Sequence, residues 1–197
     1  MERQIEIQPK KKASTTYQEL CATKSFAQFC FSHFQQLDKS SRILDAPAGI
    51  GSLGLEMARH GFENLTALDG SSAMLKEAKQ KEVYEEIVEE IIRAHLPLNK
   101  LDRSSFDVLI SFGGFSPYPG NLNEKHLYSL INLVKPGGLV LLGFSEAAYT
   151  ATFQRKLAQM WLKCELIDSK TYCRFQRTRT VKCSSSKGIY LALKVIQ

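Results

Sequence analysis

The chain has 197 residues, 44% of them hydrophobic and 23% charged, with a formal net charge of +6. That is one domain's worth of chain, long enough to bury a core without staples, and the balance excludes fibrous and disordered classes. Its longest apolar runs, such as Leu139 to Phe144, fall far short of the roughly 20 residues a membrane span needs. The polar, basic start MERQIEIQPKKK has no signal-peptide pattern behind it, so a cytoplasmic location is the expectation. Residues 1–13 read as a flexible basic tail and 14–197 as a single domain.

In chain order, apolar residues recur at helical spacing from Tyr17 to Leu37, predicting one or two amphipathic helices. Arg42 to Ala46 is a short strand ended by Pro47 and glycines, and Leu53 to His60 is a helix stopped by Gly61. Leu65 to Leu68 is a second strand, with Ser71 or Ser72 capping the next helix. Val83 to Ala94 fits a helical face or a strand near Ile87 to Ile92, and the strand is preferred. Phe106 to Phe112 has the uncharged interior of a buried parallel strand beyond its Asp107 entry. A helix over 123–134, a turn at Lys135 to Gly138, a strand at Leu139 to Phe144 and a helix over 146–164 follow. The ending, Glu165 to Phe175 and Gly188 to Ile196, reads as an antiparallel pair at a sheet edge. Strands alternating with helices predict an α/β fold, a doubly wound and mostly parallel sheet whose ligand binds beyond the carboxyl ends of the strands.

The informative loops are therefore those after each strand. The first, Asp45-Ala46-Pro47-Ala48-Gly49-Ile50-Gly51-Ser52-Leu53-Gly54, has glycines that let a backbone approach a ligand at a helix N-terminus. Twenty residues beyond Gly49, Asp69 ends the second strand, at the spacing of an acid that accepts from ribose hydroxyls. Gly49-x-Gly51-x-x-Gly54 also fits the fingerprint of an NAD enzyme. Asp45 weighs against that reading, because a carboxylate faces an ammonium better than a pyrophosphate.

Here the chain resembles the class I S-adenosylmethionine-dependent methyltransferases. RILDAPAGIGSLG, LTALDGSSAMLKEAK, FDVLISFGGF and LVKPGGLVLLGF carry the resemblance from Ile43 to Phe144, and the stretch 58–86 is similar to the subgroup named for the Williams–Beuren syndrome region. The resemblance implies a Rossmann-like, doubly wound, seven-stranded sheet with an antiparallel edge strand near the C-terminus, and S-adenosyl-L-methionine as cofactor. It implies that Asp45 and the Gly49 and Gly51 backbone hold the methionine part, with Pro47 and Ala48 also against the cofactor. Asp69 would hold the ribose, Gly70 and Met74 would line the adenosine pocket, and Ala94 and His95 would flank the adenine. Ser111 and Phe112 would sit near the methionine or the entering acceptor.

Two positions depart from the family pattern. Pro47 stands where its first glycine is usual, removing an amide donor, and His95 stands where relatives present an acid. Both motivate an alternative, a catalytically inactive methyltransferase-fold protein acting through partner or RNA binding. The leading expectation is methyl transfer to a small-molecule acceptor. RNA is a secondary partner suggested by the basic quarter 151–197, with Arg174, Arg177, Arg179 and Lys182. No catalytic residue is assigned. Tyr118 and His126 are the titratable candidates should the acceptor need to lose a proton, although His126 reads more readily as a packing residue. Five scattered cysteines and four single histidines lack metal-ligand spacing, so no metal is expected. Nothing in the pattern encodes an oligomeric state.

Overall fold

The structure, a computed structural model, describes residues 17–118, 120–160, 163–173 and 187–196. The expected tail and the basic positions 174, 177, 179 and 182 lie outside the described residues. One seven-stranded sheet organises the rest: β1 (Ile43–Asp45), β2 (Leu65–Asp69), β3 (Glu86–Glu89), β4 (Phe106–Phe112), β5 (Val134–Ser145), β6 (Cys164–Cys173) and β7 (Lys187–Val195), in the spatial order β3-β2-β1-β4-β5-β7-β6. The first five run parallel. The last two form the expected antiparallel pair, with β7 slotted between β5 and the edge strand β6.

Burial explains why these segments are strands. Ile43, Leu44, Val108, Leu109 and Ile110 are fully enclosed, as parallel strands covered on both faces must be. On one face α1 (Tyr17–His33) and α2 (Ser52–Arg59) bring Phe26, Phe29, Leu53 and Met57 onto Ile43, Val108, Ile110 and Tyr190. Phe26 and Phe29 lie with ring centroids 5.1 and 5.3 Å from that of Tyr190. On the other face α4 (Leu127–Ile131) and α5 (Ala151–Gln159) bring Leu130, Ile131, Phe153 and Leu157 onto Leu109, Val140, Leu142 and Leu191. The fifth helix, α3 (Ser72–Lys79), rests Leu75 on Ala48 and Ala67 beside β2.

Four boundaries differ from the sequence reading. The ambiguous stretch is a strand, but it runs 86–89, where Glu86 to Glu89 pair with Thr66 to Asp69. The helix expected over 123–134 is a 3₁₀ turn at Glu124–His126 followed by α4. The Lys135–Gly138 turn lies inside β5, because β4 steps from Phe106 to Val108 while β5 steps from Val134 to Leu139. That bulge swings Lys135 Nζ to 2.6 Å from Asp107 Oδ1. The long helix over 146–164 is a 3₁₀ turn at Glu146–Ala148 and then α5, because Thr150 is extended and its hydroxyl accepts the Phe153 amide at 3.1 Å. Thr150→Ala is expected to cost about 1 kcal/mol, the usual value of such a cap, read as a lowered midpoint in thermal unfolding.

Parallel register sets the ligand end. Asp45 lies beside Ala67 and Ile110, so β2 and β4 each continue two residues beyond β1, to Asp69 and Phe112. The shorter central strand leaves a notch, and the glycine-containing turn after Asp45 fills it.

Candidate functional site

The turn is held from below. Ala46 donates its amide to Ile110 O at 3.0 Å, and Ala48 donates to Leu68 O at 2.9 Å, so both neighbours of β1 anchor it. Pro47, which has no amide to donate, lies with its ring against Gly114; a side chain at Gly114 would overlap it. Gly51 caps α2 in the left-handed region at φ 77°, and Gly49 shares that region at φ 54° with open space where a side chain would stand.

Asp69 closes the turn from the side. Its Oδ2 accepts the Gly49 amide at 2.8 Å and its Oδ1 accepts the Ser71 amide at 2.8 Å. The same carboxylate thus ties the glycine turn to the start of α3. Each oxygen keeps a second acceptor site, and the residue is half-buried.

Asp45 lies underneath, 2% exposed. The Tyr84 hydroxyl donates to its Oδ2 at 2.7 Å, and the Gly54 amide donates to the same carboxyl. Burial pushes the Asp45 pKa up from 3.8 to about 7, against the lowering effect of those two bonds. Burial, and then the neighbouring Asp45 charge, hold the Tyr84 hydroxyl protonated. Burial and Asp45 likewise push the Cys30 thiol on α1 well up.

Tyr84 is the residue the sequence reading missed. It comes from the connection between α3 and β3, and its ring packs on the two glycines of α2's start. A methyl group on Gly51 would stand 2.9 Å from Tyr84 Cε2, and one on Gly54 would overlap the Tyr84 hydroxyl and ring. The available signal was Gly54 itself, since a glycine inside a helix is unfavourable unless something approaches closely.

At the end of β4, Ser111 is fully buried and its Oγ has no hydrogen-bond partner among the described residues. Phe112 stacks on Phe26 of α1, centroids 5.1 Å apart at 17°. Gly113 follows at φ 74° with open space around it. Farther along that loop, Tyr118 is 73% exposed.

The remaining expected residues spread toward β3. Gly70 is exposed and faces Ile91, whose Cγ1 lies 3.2 Å from where a side chain would begin. Met74 and Ala94 are half-buried. His95 is exposed at φ 61°. Its amide donates to Lys125 O at 3.4 Å, and it lines a small cleft with Leu96, Arg103, Tyr128 and Asn132. His126 is occupied structurally: its Nδ1 accepts the Asn123 amide at 3.1 Å in a capping box. Burial lowers its pKa. A larger cavity, about 460 Å³, lies away from all of these, between α5 and β6.

Comparison with known proteins decides what this turn belongs to: residues 43–138 match the family described as "Methyltransferase domain". That segment is similar to a methyltransferase domain. EEF1A lysine methyltransferase 2 from Danio rerio is 30% identical over 115 residues, 55% of this chain and 49% of that protein, so the match spans about half the length of that relative. Two solved structures share the fold. A TehB-like SAM-dependent methyltransferase from Corynebacterium glutamicum gives a TM-score of 0.63 at 18% identity over 86% of each chain. An S-adenosylmethionine-dependent methyltransferase from Clostridium acetobutylicum gives 0.64 at 15% identity, over 89% of this chain and 92% of its own.

S-adenosylmethionine is the cofactor of a methyltransferase domain of this fold, and the residues present fit it. Gly49 and Gly113 leave clear space on the two loops that flank the notch. Asp69 offers free lone pairs beside the turn, and the Ser111 hydroxyl is buried without a partner among the described residues at the end of β4. Among the described residues no helix is long and apolar enough to cross a membrane, and no cluster of side chains could hold a metal.

Proposed function

We propose that the chain is an active S-adenosylmethionine-dependent methyltransferase whose cofactor lies across the turn after β1. The bond from the Gly49 amide to Asp69 carries this reading, because it joins the glycine turn and the ribose-spaced acid into one preformed rim. In this reading the segment Pro47 to Gly51 lines the methionine part, with Asp45 supporting it from beneath, and Asp69 accepts from the ribose hydroxyls. Gly70, Met74, Ala94 and His95 line the adenosine side. Ser111 and Phe112 lie between the methionine part and the acceptor.

When bound, the cofactor supplies an electrophilic methyl group on a sulfonium. The chain's part is alignment and exclusion of water, since the leaving group is neutral and in-line displacement needs little else. Asp69 and the glycine turn fix one reactant. The segment from Gly113 to Tyr118 borders the approach of the other, with Tyr118 exposed on it. A lysine of a protein is the acceptor to test ahead of a small molecule, in keeping with the name of the Danio rerio relative. Placement in the Williams–Beuren subgroup rests on residues 58–86 alone, and the treatment of 14–197 as one catalytic unit is part of the same proposal.

Calorimetric titration with S-adenosylmethionine and, separately, NAD tests the reading. Micromolar binding of the methyl donor alone is expected, weakened at least tenfold, about 1.4 kcal/mol, by Asp69→Ala. Binding of neither ligand by a folded protein would return the chain to the inactive alternative. With a labelled methyl group, transfer into acid-precipitable protein supports the lysine acceptor, and label confined to the soluble fraction supports a small molecule.

A further inference from the structure

Tyr84 has no place in the cofactor-lining set, yet it touches three members of the turn's foundation. Its hydroxyl is bonded to Asp45, and its ring fills the space that side chains at Gly51 and Gly54 would need. The glycines at the start of α2 are thus small for a reason on the protein side of the turn. Gly49, by contrast, is clear on the ligand side.

We propose that Tyr84 is a positioning residue for cofactor binding, holding Asp45 and the Gly51–Gly54 segment so that the turn presents its rim to the ligand. This rests on the cofactor site proposed above. The hydroxyl and the ring do separate things. The ring sets the height of α2's first turn through contact with the two glycines. The hydroxyl, with the Gly54 amide, satisfies a carboxyl that is otherwise sealed from water, and a buried acceptor left unpaired is costly.

The division of labour gives a readout that packing alone would not move. The groups facing Asp45 are Tyr84 from the α3–β3 connection, the Gly54 amide from α2, Asp69 at the end of β2 and Cys30 on α1. Tyr84 and Cys30 stay protonated near neutrality because burial raises both, so the titration there is that of Asp45. Its ionised form accepts both donors fully. Cofactor affinity should accordingly fall as pH drops through about 7. Removing the Tyr84 hydroxyl takes away a bond that favours ionisation, so the fall should begin at higher pH.

The experiment is titration with S-adenosylmethionine at a series of pH values for the wild type, Tyr84→Phe and Tyr84→Ala, with thermal unfolding of each. The cofactor's own ionisations are common to all three curves. Tyr84→Phe is expected to weaken binding about tenfold near neutral pH and to displace the pH midpoint upward, while Tyr84→Ala loses more affinity. Wild-type binding with an unchanged Tyr84→Phe midpoint, whether affinity holds or falls equally at every pH, would overturn the inference and leave the cofactor site standing. Failure of the folded wild type to bind at any pH would overturn both.

Discussion

Gly54→Ala is expected to lower stability by about 3 kcal/mol, the upper part of the range for forcing an extra carbon into a packed site, and to cut S-adenosylmethionine affinity more than tenfold. The new methyl would overlap the Tyr84 hydroxyl and ring. Tyr84 cannot simply swing aside, because its hydroxyl is bonded to a carboxyl that has no water to turn to. Either α2's first turn rises or the Tyr84–Asp45 bond breaks, and both disturb the rim at Gly49 and Gly51. For a domain of this size the stability loss corresponds to roughly 6–12 °C in midpoint. Pairing the change with Tyr84→Ala makes the test sharper, since removing the ring opens room for the methyl. The double variant should then be more stable than the sum of the single effects predicts. Strict additivity would show that Gly54 is sensitive for some reason other than Tyr84.

The second large effect concerns pH. Burial raises the Asp45 pKa from 3.8 to about 7, so the unfolded chain releases this proton before the folded chain does. Stability from this residue is present below about pH 4 and is lost as pH rises through about 7. At 1.36 kcal/mol per unit the ceiling is on the order of 4 kcal/mol. Asp45→Asn removes the titration and adds a constant offset from its altered hydrogen bonding. The free-energy difference between variant and wild type should therefore climb in the variant's favour between about pH 4 and pH 8, approaching that ceiling. Denaturant unfolding at several pH values reads it directly, and a flat difference curve would show that Asp45 ionises normally. The acid serves the proposed site best in the charged form that folding tolerates least, a common tension at ligand sites.

The parallel core was legible because its strands are uniform apolar runs ended by glycine or an acid. Ile43 to Asp45, Leu65 to Asp69 and Phe106 to Phe112 sit where the sequence puts them, within a residue or two. The antiparallel ending was legible as two extended segments, although β6 is largely exposed and carries Glu165, Asp168 and Lys170. Less visible was what depends on one residue against its surroundings. Thr150 breaks the last helix by capping a new one, a role that an Ala-, Gln- and Lys-rich stretch hides. The bulge at Lys135 to Gly138 follows from the mismatch in step between β4 and β5, which neither segment displays alone. Asp69 and Gly49 could be paired by spacing. Tyr84 could not, since its partner Asp45 lies 39 positions earlier and only the fold brings a tyrosine from a connecting loop beneath a glycine turn. Phe112 likewise reads as a strand-end residue facing a ligand, while its stacking on Phe26 also makes it part of the α1 face.

The insertion of β7 between β5 and β6 bears on how the chain acquires its shape during synthesis. Phe26 and Phe29 of the first helix are covered in part by Tyr190, and β5 has no neighbour on its outer side until β7 arrives. The face that α1 closes therefore cannot be completed until residue 190 has left the ribosome. Such long-range closure slows folding relative to chains built from local contacts. Until then the emerging chain would hold the apolar face of α1 and an open strand edge exposed, which makes the nascent form a natural client for chaperones.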